Sequence, residues 1–192
     1  MFTKPPIYRI LACVFCHLLL LSLVFNPMVA LSQTLPIVAD GATNTQITKT
    51  ASGIDQVNIA APDSSGLSRN TFTHYNINQS GQVINNFSGN VASEVVTGSG
   101  AAAITSTQIG GLVTANENLH NSGSASIILN EVTSSNNTQL LGYAEIAGTK
   151  AELIIANSNG ITCAGCGFIN TSRLSFIAGA SETDSSGNIT NN

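Results

Sequence analysis

Charge is what this sequence has least of. Only 8% of its 192 residues are Asp, Glu, Lys or Arg, whereas a typical soluble domain has about 25%. Soluble helical bundles need Glu, Lys and Arg on their exposed faces, so this composition disfavours that class. Asn, Ser, Thr and Gly stand in for the missing charge, and sheets accept these residues on their faces and at their corners. The shortage of charge therefore favours an all-β chain.

Basic character and catalytic clusters are also missing. The net charge is −4 and there is no basic run, which argues against a nucleic acid as partner. The ten acidic residues are scattered, and no two have the spacing that would pair them as the carboxylates of a glycosidase. A Ser, His and Asp set can be assembled on paper, but a Ser-rich chain offers such sets by chance. We therefore expect no catalytic residue, no metal site and no cofactor.

The N-terminal segment has the pattern of a secretory signal peptide. Lys4 and Arg9 precede an apolar run from Ile10 to Phe25, and Asn26-Pro27 ends it. Small residues at the usual cleavage spacing follow the run. A membrane anchor is the alternative, but the run is shorter than the roughly 20 residues that span a bilayer. We expect residues 1–32 to direct the chain to the Sec translocon and to be cleaved.

Cysteine is scarce in the remaining chain. Cleavage before Gln33 would remove Cys13 and Cys16 and leave only Cys163 and Cys166. In an exported protein, a pair separated by two residues favours a disulfide. Reduced thiols and a metal site are the alternatives, and a zinc ion would require two further ligands.

The chain from Leu35 to Ile177 consists of short apolar segments separated by corners of Asn, Ser and Gly. This pattern predicts strands, with no helix between them. The segment Phe72 to Phe87 reads as a hairpin-like unit, Ala92 to Thr105 as a loop or an extruded hairpin, and 182–192 as a fraying polar tail. Periodicity alone leaves a parallel β-helix, a β-sandwich and a barrel open.

A long ordered motif narrows this choice. It comprises Leu129-Asn130-Glu131-Val132-Thr133-Ser134, Gln139-Leu140-Leu141-Gly142, Glu145-Ile146-Ala147-Gly148, Ile154-Ile155-Ala156-Asn157, and Asn159 to Thr171 with its two cysteines. The motif resembles the secretion domain of two-partner-secretion exoproteins of the filamentous-haemagglutinin and haemolysin type. This chain has Asn137 and Ser158 where the family has Pro, which leaves both turns less restricted.

The resemblance implies a fold and a domain organisation. The fold would be a right-handed, single-stranded parallel β-helix with an N-terminal cap and extra-helical β elements. Residues 33–181 would form the secretion domain, with roughly six or seven coils of about 20–25 residues each. The family's domain and passenger normally continue further, so the resemblance predicts that this chain is truncated at its C-terminus.

The resemblance also implies a function. An outer-membrane β-barrel transporter would recognise the domain through its periplasmic domains and export it to the cell surface or the medium, as part of an adhesin or haemagglutinin. The alternatives are a stand-alone adhesin or lectin-like β-helix that binds host-cell surface glycans, and a non-functional truncated remnant. The residues implied in secretion are Asn136, Asn137, Leu140, Gly142, Asn157, Asn159, Gly160 and Ile161. A purely structural role, as corner turns, is equally open for them.

Overall fold

Nearly all the regular structure is β-strand. The computed structural model describes residues 35–89, 103–179, 182–183 and 189–190. In chain order its strands are β1 (Val38–Ala39), β2 (Gln46–Lys49), β3 (Asp55–Asn58), β4 (Leu67–His74), β5 (Gln82–Asn86), β6 (Ile104–Thr107), β7 (Gly111–Thr114), β8 (Ile127–Val132), β9 (Thr138–Leu140), β10 (Tyr143–Gly148), β11 (Ala151–Asn157), β12 (Ile161–Cys163), β13 (Gly167–Ile169), β14 (Thr171–Ile177), β15 (Glu182–Thr183) and β16 (Ile189–Thr190). A single-turn 3-10 helix, η1, spans Glu117–Leu119.

The expected signal peptide, residues 1–32, lies outside the described residues. Within the described part of the chain, no helix is long and apolar enough to cross a membrane.

The strands wind repeatedly through three sheets. The first sheet has the order β13-β10-β5-β3-β2, the second has the order β1-β4-β8-β11-β14, and the third contains β9 and β12. One coil runs through β3, β4 and a bridge from Ile77 to Leu140. The next runs through β5, β8 and β9, the third through β10, β11 and β12, and a fourth begins with β13 and β14.

Neighbouring coils pair in parallel. In the first sheet Glu145 lies between Val83 and Ile169, and in the second sheet Leu153 lies between Ile128 and Leu174. Parallel strands of successive coils, stacked at about 4.8 Å, define a parallel β-helix. The structure thus confirms the predicted fold class over the sandwich and the barrel.

The hydrophobic core lies inside the coils, because ladders of apolar side chains point inward from equivalent positions. Val57, Ile84 and Ile146 stack in the first sheet, and each is at most 1% exposed. Ile128 and Leu153 stack in the same way in the second sheet. Burying each such side chain contributes about 1.5–3 kcal/mol to the free energy of folding. The stacked interior is therefore the main source of the stability of the fold.

A chain of polar side chains crosses this interior. The Asn130 amide donates to the Tyr75 hydroxyl at 2.8 Å, and that hydroxyl donates to the Gln82 side-chain oxygen at 2.8 Å. Burial raises the pKa of Tyr75, so the phenol stays neutral and remains a donor. The three groups connect the second sheet to the first across the core, where an unsatisfied polar group would be costly.

The N-terminal residues cap the first coil. β1 pairs antiparallel with β4, and β2 pairs antiparallel with β3. Asp40 fastens the cap, because its carboxylate accepts hydrogen bonds from the hydroxyls of Thr71 at 2.6 Å and Thr133 at 2.8 Å and from the Ala42 N–H. It thereby joins the cap to the first two coils.

An extra-helical hairpin covers the outer face of the first sheet. β6 and β7 pair antiparallel, and the carboxylate of Glu145, which is 5% exposed, accepts the backbone N–H groups of Gln108 at 2.8 Å and Ile109 at 2.9 Å. Val113 packs there against Val83 and Ala147. The predicted cap and extra-helical element are therefore present, although residues 90–102 lie outside the described residues.

The hairpin predicted for Phe72 to Phe87 is wrong. β4 belongs to the second sheet and β5 to the first, and each pairs with strands of other coils. Gly81, with φ 89°, makes the corner between coils, and its N–H bonds to the Asn78 carbonyl at 2.9 Å. A Ser-Gly turn between apolar segments looks the same in both folds, because the pattern does not reveal the pairing partner.

Two smaller expectations also need correction. The described residues contain three complete coils and part of a fourth, fewer than the predicted six or seven, because the cap and the extra-helical segment consume much of the length. In the polar tail, β15 pairs antiparallel with β16, with Glu182 opposite Thr190. The tail therefore contains a strand pair where fraying was expected.

Asp40 generates a prediction on acid stability. Burial alone raises the pKa of its carboxyl, but hydrogen bonds from Thr71, Ala42 and Thr133 outweigh this and hold the pKa below its usual 3.8. A depressed pKa stabilises the fold at pH values above the unfolded pKa, and this stabilisation is lost as pH falls through the folded one. Asp40→Asn should lower the free energy of unfolding by about 1 kcal/mol at pH 7.

The difference between wild type and Asp40→Asn should shrink as the pH falls below 3.8, as measured by urea unfolding across pH. Glu117→Gln is the matched control, because Glu117 is exposed and its substitution should be neutral. A difference in the free energy of unfolding between wild type and Asp40→Asn that stays constant with pH would contradict this role of the Asp40 charge.

Candidate functional site

Most of the residues implied in secretion meet at one corner of the β-helix. We call it the Asn corner and define it as residues 133–138 of the second coil and 157–160 of the third. It joins the second sheet to the third, between β8 and β9 and between β11 and β12. Neither segment contains a charged residue, so hydrogen bonds and packing determine its structure.

Asn157 is the central residue of the corner. Its side chain is fully buried, and its amide donates to the Asn136 carbonyl and to the Thr138 hydroxyl, both at 2.9 Å. Its side-chain oxygen accepts the backbone N–H of Asn159 at 2.8 Å. Each polar atom of the side chain is therefore satisfied, as burial requires, and the amide links the third coil to the second.

Asn159 and Asn136 repeat this arrangement. The Asn159 amide donates to the Ser134 carbonyl at 2.7 Å, again from the third coil to the second. The Asn136 amide donates to the Thr73 carbonyl at 2.9 Å, from the second coil to the first. In every case an amide donates to a backbone carbonyl of the preceding coil, so each coil is fastened to the one before it.

Gly160 and Ile161 complete the turn. Gly160 has φ 99°, a conformation that side chains rarely adopt, and its N–H bonds to the Asn157 carbonyl at 3.2 Å. The Gly160 carbonyl accepts the Thr138 N–H at 3.0 Å. Ile161 then pairs with Thr138 and packs against the core.

Leu140 and Gly142 lie just beyond the corner, where the second coil passes through the third sheet. Leu140 is fully buried and pairs with Ile77 below and Cys163 above. A Cβ atom on Gly142 would collide with the Asn78 carbonyl oxygen of the preceding coil. Gly142 is thus needed for close backbone approach.

Asn137 is the exception among the residues implied by the resemblance. It is exposed, and no side-chain hydrogen bond joins it to another described residue. The structure therefore brings Asn136, Asn157 and Asn159 into one network and leaves Asn137 outside it.

Cys163 and Cys166 form a disulfide with a Cα–Cα distance of 5.4 Å. It closes the turn from β12 to β13, where the Ala164 N–H bonds to the Leu140 carbonyl at 2.9 Å. Cys166 packs against the core. The described residues contain no group of three or more His, Cys, Asp or Glu side chains that could hold a metal ion.

Sequence reasoning missed two further members of the network, Asn76 in the first coil and Ser134 in the second. The side-chain oxygen of Asn76 accepts the Gln139 N–H at 2.9 Å, and its amide donates to the Pro36 carbonyl at 2.7 Å. The Ser134 hydroxyl donates to the Thr73 carbonyl at 2.6 Å. Asn76 follows an apolar strand as Asn157 does, and that shared position is the signal that could have identified it.

Comparisons with known proteins agree on one family. The family model described as TPS secretion domain matches residues 35–191. The solved structure described as the crystal structure of filamentous hemagglutinin secretion domain is 34% identical, with a TM-score of 0.63 over 77% of this chain and 44% of that chain.

Relatives of this chain include named toxins. The 16S rRNA endonuclease CdiA of Enterobacter cloacae is 40% identical over 172 residues, which are 88% of this chain and 5% of the relative. The Hemolysin of Proteus mirabilis is 42% identical over 127 residues, which are 66% of this chain and 7% of the relative. The chain thus spans only a small fraction of the curated relatives that it matches.

Removing the central amide should destabilise the fold. Asn157→Ala leaves the Asn136 carbonyl, the Thr138 hydroxyl and the Asn159 N–H without their buried partner, at an expected cost of about 3 kcal/mol in the free energy of unfolding. Asn137→Ala is the matched control and should change stability by less than about 0.5 kcal/mol. Chemical denaturation measures both, and equal effects would show that the amide network does not support the corner.

Ser158→Pro should stabilise the turn. Ser158 is exposed and occupies the second position of the turn that the Gly160 N–H closes onto the Asn157 carbonyl, where Pro is favoured. The expected gain is about 0.5–1 kcal/mol in the free energy of unfolding, through reduced entropy of the unfolded chain. Ser158→Ala is the control, and a Pro variant less stable than the Ala variant would refute this view of the turn.

Proposed function

The chain belongs to the TPS (two-partner secretion) secretion domain family, and we propose that the periplasmic domains of an outer-membrane β-barrel transporter bind its Asn corner before the chain folds. Membership makes this chain a secretion domain of the exoproteins that are exported to the cell surface or the medium. The proposal concerns which residues are recognised, and in which state.

The burial of Asn157, at the centre of the Asn corner, and of two residues just beyond the corner supports recognition of the unfolded chain. Asn157 and Leu140 are fully buried, and Gly142 faces the backbone of the preceding coil. A transporter could not reach these side chains in the folded domain without opening the coils. Asn157, Leu140 and Gly142 are therefore accessible to a partner only while the chain is extended, whereas Asn137 and Asn159 are exposed in the folded domain as well.

Strand addition is the mode of recognition that suits these segments. β9 and β12 are three-residue strands that each follow one half of the Asn corner. In an extended chain their backbone N–H and C=O groups are free to pair with the edge of a transporter sheet, while alternate side chains enter its pockets. The absence of charge from the corner lowers the desolvation cost of such pairing.

Folding would then release the chain from its transporter. The amides that an extended segment offers to a partner become bonded to the preceding coil once that coil has formed. Ligands that bind only the unfolded chain compete with folding by mass action. Coil formation outside the membrane would therefore remove the bound state and favour export over return.

The remaining parts of the chain have supporting roles in this proposal. Residues 1–32 would bring it to the periplasm through the Sec translocon, and the Cys163–Cys166 bond would fix the turn after β12. We propose no catalytic role for the domain. The nuclease activity in the name of a relative is not carried over, because the match spans 5% of that protein.

Capture of the unfolded chain tests the proposal. Urea-unfolded chain diluted onto the immobilised periplasmic domains of the cognate transporter should bind, and Asn157→Ala should weaken binding by about tenfold or more, or about 1.4 kcal/mol. Ile128→Ala is the matched control, because it opens the core at a fully buried site outside the corner and should be captured normally. Normal capture of Asn157→Ala would leave the corner a folding role alone.

A further inference from the structure

The Asn corner contains a reactive pair of residues whose chemistry the hydrogen-bond network does not use. Asn159 is followed directly by Gly160, and no other Asn of the chain precedes a Gly. In an unfolded chain the backbone nitrogen of the next residue can attack the side-chain carbonyl carbon of an Asn. Gly permits this attack most readily, because it has no Cβ and has the widest range of backbone angles. The two groups belong to one chain and so are already at high effective concentration.

The reaction converts the side-chain amide to an acid in two steps. The Gly160 nitrogen gives up its proton and forms a bond to Cγ of Asn159, while the bond from Cγ to Nδ2 breaks and the amide nitrogen leaves as ammonia. Water then opens the resulting succinimide ring at either of its two carbonyls. Opening at one carbonyl gives aspartate, and opening at the other gives isoaspartate, in which the main chain runs through the side-chain carbon.

The folded corner keeps the attacking nitrogen from this reaction. The Gly160 N–H donates to the Asn157 carbonyl at 3.2 Å, so the proton that must leave is bonded and the nitrogen points away from the Asn159 side chain. The Gly160 carbonyl accepts the Thr138 N–H at 3.0 Å, which fastens the same residue to the second coil. Attack on Asn159 therefore requires the turn to open first.

The Asn159 side chain is restrained as well, although the residue is exposed. Its Nδ2 donates to the Ser134 carbonyl of the preceding coil at 2.7 Å. Its backbone N–H donates to the side-chain oxygen of Asn157 at 2.8 Å. Solvent reaches this amide in the folded domain, so hydrogen bonds and not burial are what hold it away from the Gly160 nitrogen.

Loss of the amide removes contacts that the corner needs. A carboxylate has no N–H, so it cannot donate to the Ser134 carbonyl and places a negative charge beside that oxygen instead. Isoaspartate adds one carbon to the main chain between Asn157 and Gly160, which displaces the turn that the Gly160 N–H closes. Neither product returns to the amide, because the ammonia has left. A modified chain therefore forms a weaker corner.

We propose that Asn159 is a modification site at which the extended chain slowly loses its side-chain amide, and that folding of the Asn corner stops this loss. The reaction limits the time over which an unfolded chain keeps the ability to complete its corner. A chain that folds early keeps the amide, and one that stays extended gains a negative charge in a corner without charged residues. The proposal rests on the chain's own chemistry and holds whichever partner binds the extended chain.

Peptide mapping by mass spectrometry tests the protection that folding gives. One sample is unfolded in guanidinium chloride at mildly alkaline pH, and the other is folded at the same pH in sodium chloride of equal ionic strength. Asn159 should convert to acid at least about tenfold faster in the unfolded sample, a factor equivalent to about 1.4 kcal/mol of activation free energy. The rate in the unfolded sample should rise with hydroxide concentration, because the Gly160 nitrogen must lose its proton. Equal rates in the two samples would overturn the proposal.

Two matched controls locate the reaction. Asn121 is exposed and precedes Ser122, so in the same unfolded sample it should react at least about tenfold more slowly than Asn159. Gly160→Ala should slow the conversion of Asn159 to a similar degree in the unfolded chain, where the ability of the variant to fold does not matter. Asn121 reacting as fast as Asn159, or Gly160→Ala reacting as fast as wild type, would refute the assignment.

The modified chain itself tests the consequence for folding. Its added negative charge allows separation by ion exchange, and after return to native buffer its unfolding midpoint in guanidinium chloride should lie below that of the unmodified chain. Complete failure to refold would support the proposal equally. Asn121→Asp is the matched control, because it adds the same charge outside the corner and should leave the midpoint unchanged. A modified chain with the midpoint of the unmodified chain would contradict the proposed role of the amide.

Discussion

Each coil of this β-helix is fastened to the preceding one by a side-chain amide that donates to a backbone carbonyl. Asn136 reaches Thr73, and the next coil's Asn157 and Asn159 reach Asn136 and Ser134. Each of these bonds joins two neighbouring coils, so the hydrogen bonds of a corner are complete only when both coils have formed. Coils that contact only their neighbours then stabilise one another in sequence along the stack.

Under the proposed recognition, the same bonds would give the Asn corner two states, an extended one with free side-chain amides and a folded one in which these amides are bonded to the preceding coil. Asn157 shows the contrast best, since its side chain is fully buried and fully bonded in the fold. Competition between a transporter sheet and the preceding coil for the same segments would couple recognition to folding.

The local sequence motifs predicted the fold class correctly, but they did not predict which strands pair with each other. The block from Leu129 to Thr171 carried the family resemblance, and the comparisons confirm the family and the fold. The corner at Gly81 was mistaken for a hairpin turn because a strand's neighbour in a β-helix comes from another coil. The hydrogen bonds from the N–H groups of Gln108 and Ile109 to the Glu145 carboxylate could not be predicted either, because the partners are far apart in the sequence.

The candidate site was predicted in part. Asn157 and Gly160 could be identified because an Asn-Gly turn after an apolar strand has a local signature. The position of Asn76 after an apolar strand offered a local signal too, but the role of Ser134 had none, since it depends on the Thr73 carbonyl one coil away. Asn137 has the right place in the motif but lies outside the network, because exposure depends on the direction of a side chain and motif position does not reveal it.

Hydrogen exchange of the chain bound to the transporter's periplasmic domains tests the central claim most directly. If the corner is recognised in the extended state, the backbone amides of Thr138 to Leu140 and Ile161 to Cys163 should be protected while those of the core strands around Ile84 and Leu153 exchange freely. Protection of the core strands at the level of the folded domain would show that the transporter binds a folded chain, and would contradict the account.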